Sequence, residues 1–142
     1  MLRPLPLVAL VLLVTVGVFA EQKPDLKARA DQSIGSDKAK YAAEYTEKAT
    51  HEADKSFADG KDADASALLQ DVAVYGKMAA DASMQSHKRE KNTEISLRKV
   101  LKQLNDIKNA RPFEQQAEVQ KVIESVQATH DALLEFMFQK GH

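Results

Sequence analysis

An all-α fold is predicted, built from antiparallel helical hairpins: three or four helices, either collapsed into a bundle or extended along one long central helix. Three observations predict it. Gly (5) and Pro (4) are scarce in the 142 residues while Ala, Lys, Glu, Asp and Gln abound, a composition that favours helix over sheet. From Asp37 onward, apolar residues recur every three or four positions, the period of a helix that buries one face. The signals that turn the chain stand at Gly60 and at Arg111-Pro112, which divides the periodic region into hairpin arms.

The first twenty residues read as a leader and not as part of the fold. Arg3 and the amino terminus supply a positive start, Leu5 to Phe19 is an apolar run, and Val18 and Ala20 are the small residues that signal peptidase reads before its cut. This is the pattern of a secretory signal peptide, 1–20, cleaved between Ala20 and Glu21. An uncleaved anchor needs roughly 20 apolar residues to span a bilayer, and this run is shorter. Loss of Arg3 takes the formal net charge from −1 to −2. The expected location is therefore periplasmic or secreted, and with no Cys the chain is indifferent to an oxidising compartment.

Residues 21–36 are polar, contain Pro24 and Gly35, and offer only Leu26 and Ile34 as large apolar groups. They read as a flexible tether or a frayed helical lead-in to a helical domain at 37–142. In that domain Ala42, Tyr45, Ala49, Ala53 and Phe57 mark one amphipathic helix that ends at Gly60. Asp62 or Asp64 can cap a second, with the stripe Ala65, Leu68, Leu69, Val72, Tyr75, Ala79, Ala82 and Ser86. His87 to Asn92 has no apolar residue. Beyond it Leu97, Val100, Leu101, Leu104 and Ile107 resume the pattern nearly in phase. One long helix is open on that ground, and two helices with Thr93 as an N-cap are open equally. Arg111-Pro112 ends the helix, and the last one runs from about Pro112 to Phe138, with Val119, Val122, Ile123, Val126, His130, Leu133, Leu134, Met137 and Phe138 on its inner side. The first hairpin is rich in Ala and buries little area per residue, so the Leu, Ile, Val and Phe groups of the second are expected to dominate stability.

The stretch Phe57-Ala58-Asp59-Gly60-Lys61-Asp62-Ala63-Asp64-Ala65, followed by Leu68, Leu69 and Val72, resembles the turn region of a tetratricopeptide-type hairpin, where Gly closes one helix and Ala opens the packed face of the next. The resemblance covers Lys40 to Met84 in a single copy, without the family's Trp-x-x-Leu-Gly opening or its closing Pro. It implies hairpin geometry and a protein-interaction role, and no defined ligand residues. As a whole the chain resembles exported all-helical bacterial proteins with a signal peptide, an Ala-rich hairpin and no cysteine, a resemblance that implies no activity.

Several chemistries are excluded by composition. Without cysteine there is no disulfide, thiol nucleophile, Cys-ligated metal or c-type haem attachment. Gly-x-Ser-x-Gly, a Gly-rich phosphate loop, His-Glu-x-x-His and the Glu-x-x-His pair of di-iron bundles are all missing. No enzyme and no cofactor is expected. Among potential metal ligands, Glu47, His51 and Asp54 are best placed, at i, i+4 and i+7 on one helix face. The plain reading of that set is a solvated face opposite the Ala stripe. His130 lies beside the apolar stripe and reads as a partly buried structural histidine, since the sequence places no second His or carboxylate to meet it. Met78, Met84 and Met137 with His130 are the residues an axial haem site would use, and Met at helical spacing is ordinarily core filling.

Charge is distributed unevenly. Glu21 to Ser86 carries 9 basic and 13 acidic residues, His87 to Arg111 carries 8 and 3, and Pro112 to His142 carries 2 and 5. Lys88, Arg89, Lys91, Arg98, Lys99 and Lys102 are the candidate partner-binding residues, with Lys91, Arg98 and Lys102 on one face. The alternative is that Glu114, Glu118 and Glu124 on the neighbouring helix neutralise the block. The block has no aromatic residue for base stacking, so nucleic acid is not expected. The expected role is a non-enzymatic binding or scaffold protein that meets a protein partner or an anionic envelope component. A small periplasmic metal or haem carrier is the alternative. Homo-oligomerisation through Tyr41, Phe136 and Phe138 is also open.

Overall fold

A computed structural model describes residues 25–140, so the signal-peptide reading of 1–20 lies outside the described residues. The described chain is all-α: α1 (Leu26–Gln32), α2 (Gly35–Ala58), α3 (Asp62–Ser86), α4 (Glu90–Asn109) and α5 (Phe113–Lys140). The α2–α3 and α4–α5 hairpins are both antiparallel, and they collapse on one another into a bundle in which α2 lies beside α3 and α4, and α5 lies beside α3 and α4. Both hairpin turns therefore sit at one end, where Gln115 Nε2 donates to Asp62 at 3.0 Å and the Arg111 guanidinium lies 4.8 Å from the Phe57 ring centroid.

Local chemistry explains the breaks. Gly60, at φ +73°, takes the left-handed conformation that ends α2, and Lys61 N–H closes on Ser56 C=O at 2.8 Å. Neither Asp62 nor Asp64 caps α3: both lie inside its first turn, where they complement the helix dipole. The junction whose conformation the sequence left open is a turn. His87 (φ 56°) and Arg89 (φ 61°) both adopt the left-handed region and separate α3 from α4. Thr93 is not the N-cap of α4; it is buried one turn inside, and its hydroxyl shares a 2.6 Å hydrogen bond with Ser83 of α3. The chain turns because α4 gains its core contacts only by folding back on α2 and α5. That gain outweighs about 1–2 kcal/mol of steric cost at each non-glycine left-handed residue.

Of residues 21–36, read as a tether or a helical lead-in, residues 26–32 form a helix, α1. Asp25 caps it by accepting from Ala28 N–H at 2.7 Å, and Ala30 is fully buried against the bundle. Side chains hold it in place. Tyr75 donates to Asp31 at 2.8 Å, Lys27 pairs with Asp71 at 3.2 Å, and Lys38 donates to the Ala30 carbonyl at 3.0 Å. The core is continuous from Ala30 to Leu133. Its first half is rich in alanine, with Ala42, Ala49, Ala53, Ala65, Ala79 and Ala80 around Leu69 and Val72, which lets α2 and α3 approach closely; its second half is Leu97, Val100, Leu104, Ile107, Val119, Val126 and Leu133.

Candidate functional site

Helix α4 carries the basic block, and its orientation follows from its apolar stripe. Leu97, Val100, Leu101, Leu104 and Ile107 are buried, so the opposite face, with Lys91, Arg98 and Lys102, is exposed. Lys88 and Arg89 are exposed in the turn just before it. Among the described residues, no ion pair or hydrogen bond forms at the side-chain cations of Lys88, Arg89, Lys91 or Lys102. Lys99 reaches Glu47 of α2 at 3.9 Å, and Arg98 Nη2 donates to Glu94 Oε2 at 2.9 Å. The acids that answer the block are thus Glu47 and Glu94. Among the described residues Glu114, Glu118 and Glu124 make no ion pair with it, since α4 turns its apolar side, and not Lys91, Arg98 or Lys102, towards α5. The Lys108 ammonium instead donates to Gln120 of α5 at 2.8 Å.

Beneath the strip lies a feature that the sequence reading missed. Glu94, with its side chain 13% exposed, accepts from Arg98 on one oxygen and stands 3.1 Å from His130 Nε2 on the other. His130 is 8% exposed, and its Nδ1 is buried without a hydrogen-bond partner; the nearest acid there is Asp131, at 4.0 Å. The expectation that no carboxylate meets His130 is corrected by this contact. The signal was present: α4 and α5 fold about Arg111-Pro112, and residues about equally far from that turn come to face one another, 94 and 130 among them. Burial by itself raises the Glu94 carboxyl, and the hydrogen bonds from His130 and Arg98 overcome it and hold the group below its ordinary value. Glu94 is therefore an anion wherever histidine changes charge.

The potential metal ligands are not drawn together. His51 and Asp54 are exposed on α2, and Glu47 is engaged with Lys99. Among the described residues no three His, Cys, Asp or Glu side chains are grouped to hold a metal ion. Met78, Met84 and Met137 are half-buried packing against the core.

Two tyrosines form a second polar cluster at the α1 face. Their rings meet edge to face at 4.7 Å, Tyr45 donates to Asp71, and Tyr75 donates to Asp31. Burial, then these carboxylates, pushes the Tyr75 phenol up to about 12 and raises Tyr45 as well. The cluster fastens α1. A groove at the α2–α3 turn is lined by Glu52, Lys55, Asp59, Lys61 and Asp64, charges that largely offset one another. Of the aromatic groups considered for self-association, Tyr41 is covered by Arg29 and Lys40, Phe136 stacks on His87, and Phe138 is exposed. Ile34, Val74 and Phe113 are exposed in addition. Among the described residues no helix is long and apolar enough to cross a membrane. No known family, curated protein or solved structure matches the chain.

Proposed function

We propose that this chain is an exported, non-enzymatic helical binding protein that docks an anionic partner on the outer face of α4. The observation that carries the reading is the exposure of Lys91, Arg98 and Lys102 on one face, with Lys88 and Arg89 beside them, on a protein whose formal net charge is −1. A cationic strip on an otherwise acidic molecule orients an approaching anion and fixes where it lands. The partner class is an anionic polymer of the cell envelope or an acidic protein surface; the single tetratricopeptide-like hairpin is consistent with the latter.

Export rests on the leader and is checked by expressing the full chain and weighing the product, which is expected to begin at Glu21 and to leave the cytoplasm. Docking is tested with heparin as a polyanionic probe. The double substitution Lys91→Glu and Lys102→Glu is expected to weaken binding by about tenfold at low salt, and the reversal of exposed acids on α2, such as Asp54→Lys, is expected not to weaken it. Equal binding by wild type and the α4 double variant removes the strip from the reading.

A further inference from the structure

We propose that the α3–α4 turn is a processing site, cut after Lys88 or Arg89 by an endopeptidase specific for basic residues, and that the two halves of the bundle stay docked after the cut. The inference does not rest on the α4 strip being a docking face. An endopeptidase takes its substrate as an extended strand of roughly six to eight residues, and a folded chain supplies one only where local opening costs little. From Gln85 to Asn92 no side chain is buried, and Ser83 and Thr93 are the nearest buried groups on either side. Opening this stretch gives up terminal helix bonds, such as Lys88 N–H to the Ser83 carbonyl at 3.3 Å and Thr93 N–H to the Arg89 carbonyl at 2.9 Å, which water replaces. It also lifts His87 from Phe136, and it relieves the left-handed backbone of His87 and Arg89. Helix α4 has no side-chain cap to hold its first turn.

Each turn between the long helices holds a basic residue, and the α3–α4 turn alone presents it in cleavable form. Lys61 in the α2–α3 turn is flanked by Asp59 and Asp62, acids that oppose the acidic pocket such an enzyme uses for Lys or Arg, and its N–H is bound to the Ser56 carbonyl at 2.8 Å. Arg111 is followed by Pro112, which has no N–H and a fixed φ where the enzyme takes an ordinary strand residue. Of the basic residues from Lys27 to Lys121, Lys88 alone has no buried side chain within four positions on either side. In the cut, the oxygen of a water joins the carbonyl carbon to form a carboxylate, and both its protons go to the nitrogen, a new ammonium terminus. The core from Ala30 to Leu133 is untouched, with α4 still against α2 and α5 against α3. The α4–α5 hairpin, which carries the cationic strip, is then held by packing alone, and its association depends on concentration.

The test is limited digestion of the folded protein with trypsin, whose acidic pocket takes Lys and Arg. Between residues 35 and 138 the first cut is expected after Lys88 or Arg89, seen by mass as a fragment that runs from Arg89 or Glu90 to His142. The double substitution Lys88→Gln and Arg89→Gln is expected to slow that cut about tenfold or more, with the urea midpoint of the intact variant unchanged. Below the unfolding midpoint the rate of the cut is expected to be nearly flat in urea, the mark of local opening. The two pieces are expected to elute together in gel filtration, with a urea midpoint that rises with protein concentration. No cut, a first cut elsewhere between 35 and 138, an undiminished rate in the double variant, or a rate that climbs with the full urea slope of global unfolding overturns the site. Pieces that separate at once overturn the docked product.

Discussion

The hydroxyl pair of Ser83 and Thr93 shows how much a single buried contact is worth in a core this rich in alanine. The two oxygens are 2.6 Å apart, and both residues are almost fully buried. Thr93→Val removes one partner and strands the other, at an expected cost of about 1–2 kcal/mol in urea unfolding. The double variant with Ser83→Ala is expected to cost less than the sum of the single changes, because no polar group is then left without a partner. Arg89 makes the opposite point. Its positive φ is strained for any residue with a Cβ, and Arg89→Gly is expected to raise stability by about 0.5–1 kcal/mol, read as a higher urea midpoint at unchanged slope. Glu94 has a pH signature. A carboxyl whose pKa is lowered by folding contributes stability above its unfolded value, and that stability disappears as pH falls through the folded value. Glu94→Gln is therefore expected to flatten the acid side of the stability profile.

At the scale of an element, α1 is the instructive case. Seven residues with one buried alanine cannot hold a helix in place by apolar area alone. The helix is fastened by the Tyr75–Asp31 bond and by Lys27 and Lys38. Phenols whose pKa is raised by folding contribute stability that is complete below their unfolded value of about 10 and is lost as pH rises through the folded value, about 12 for Tyr75. In that alkaline window α1 is expected to detach before the bundle unfolds, seen as faster amide exchange confined to residues 26–32. Tyr75→Phe is expected to produce the same local loosening at neutral pH. The strip on α4 was legible beforehand because i, i+7 and i+11 spacing puts Lys91, Arg98 and Lys102 on one face whatever the helix packs against. The Glu94–His130 contact was not read, because it joins residues 36 positions apart and needs the α4–α5 register.

For the molecule as a whole, the core that runs from Ala30 to Leu133 links both hairpins. One cooperative transition is expected. The chain has three Tyr and no Trp, and all three Tyr lie on α2 and α3, so tyrosine fluorescence follows the first hairpin while far-ultraviolet dichroism follows every helix. Coincident urea midpoints from the two probes are expected, and separate midpoints would show the hairpins unfolding independently. Leu104→Ala, at a site fully buried in the second hairpin, is expected to cost about 2–5 kcal/mol and to lower both midpoints together.

The all-α class, the two hairpin turns and the cationic face were set by composition, by a period of three to four residues and by Gly60 and Pro112. These signals are local, and the backbone obeys them before any long-range contact forms. Three matters depended on packing. The junction at His87 to Arg89 became a turn because α4 buries its stripe only by folding back, although in-phase periodicity suits a continuous helix equally well. Thr93 lies in the core and not at a cap because Ser83 meets it there. His130 acquired a carboxylate partner because antiparallel helices bring distant positions to the same height, a relation of register that periodicity within one helix does not carry.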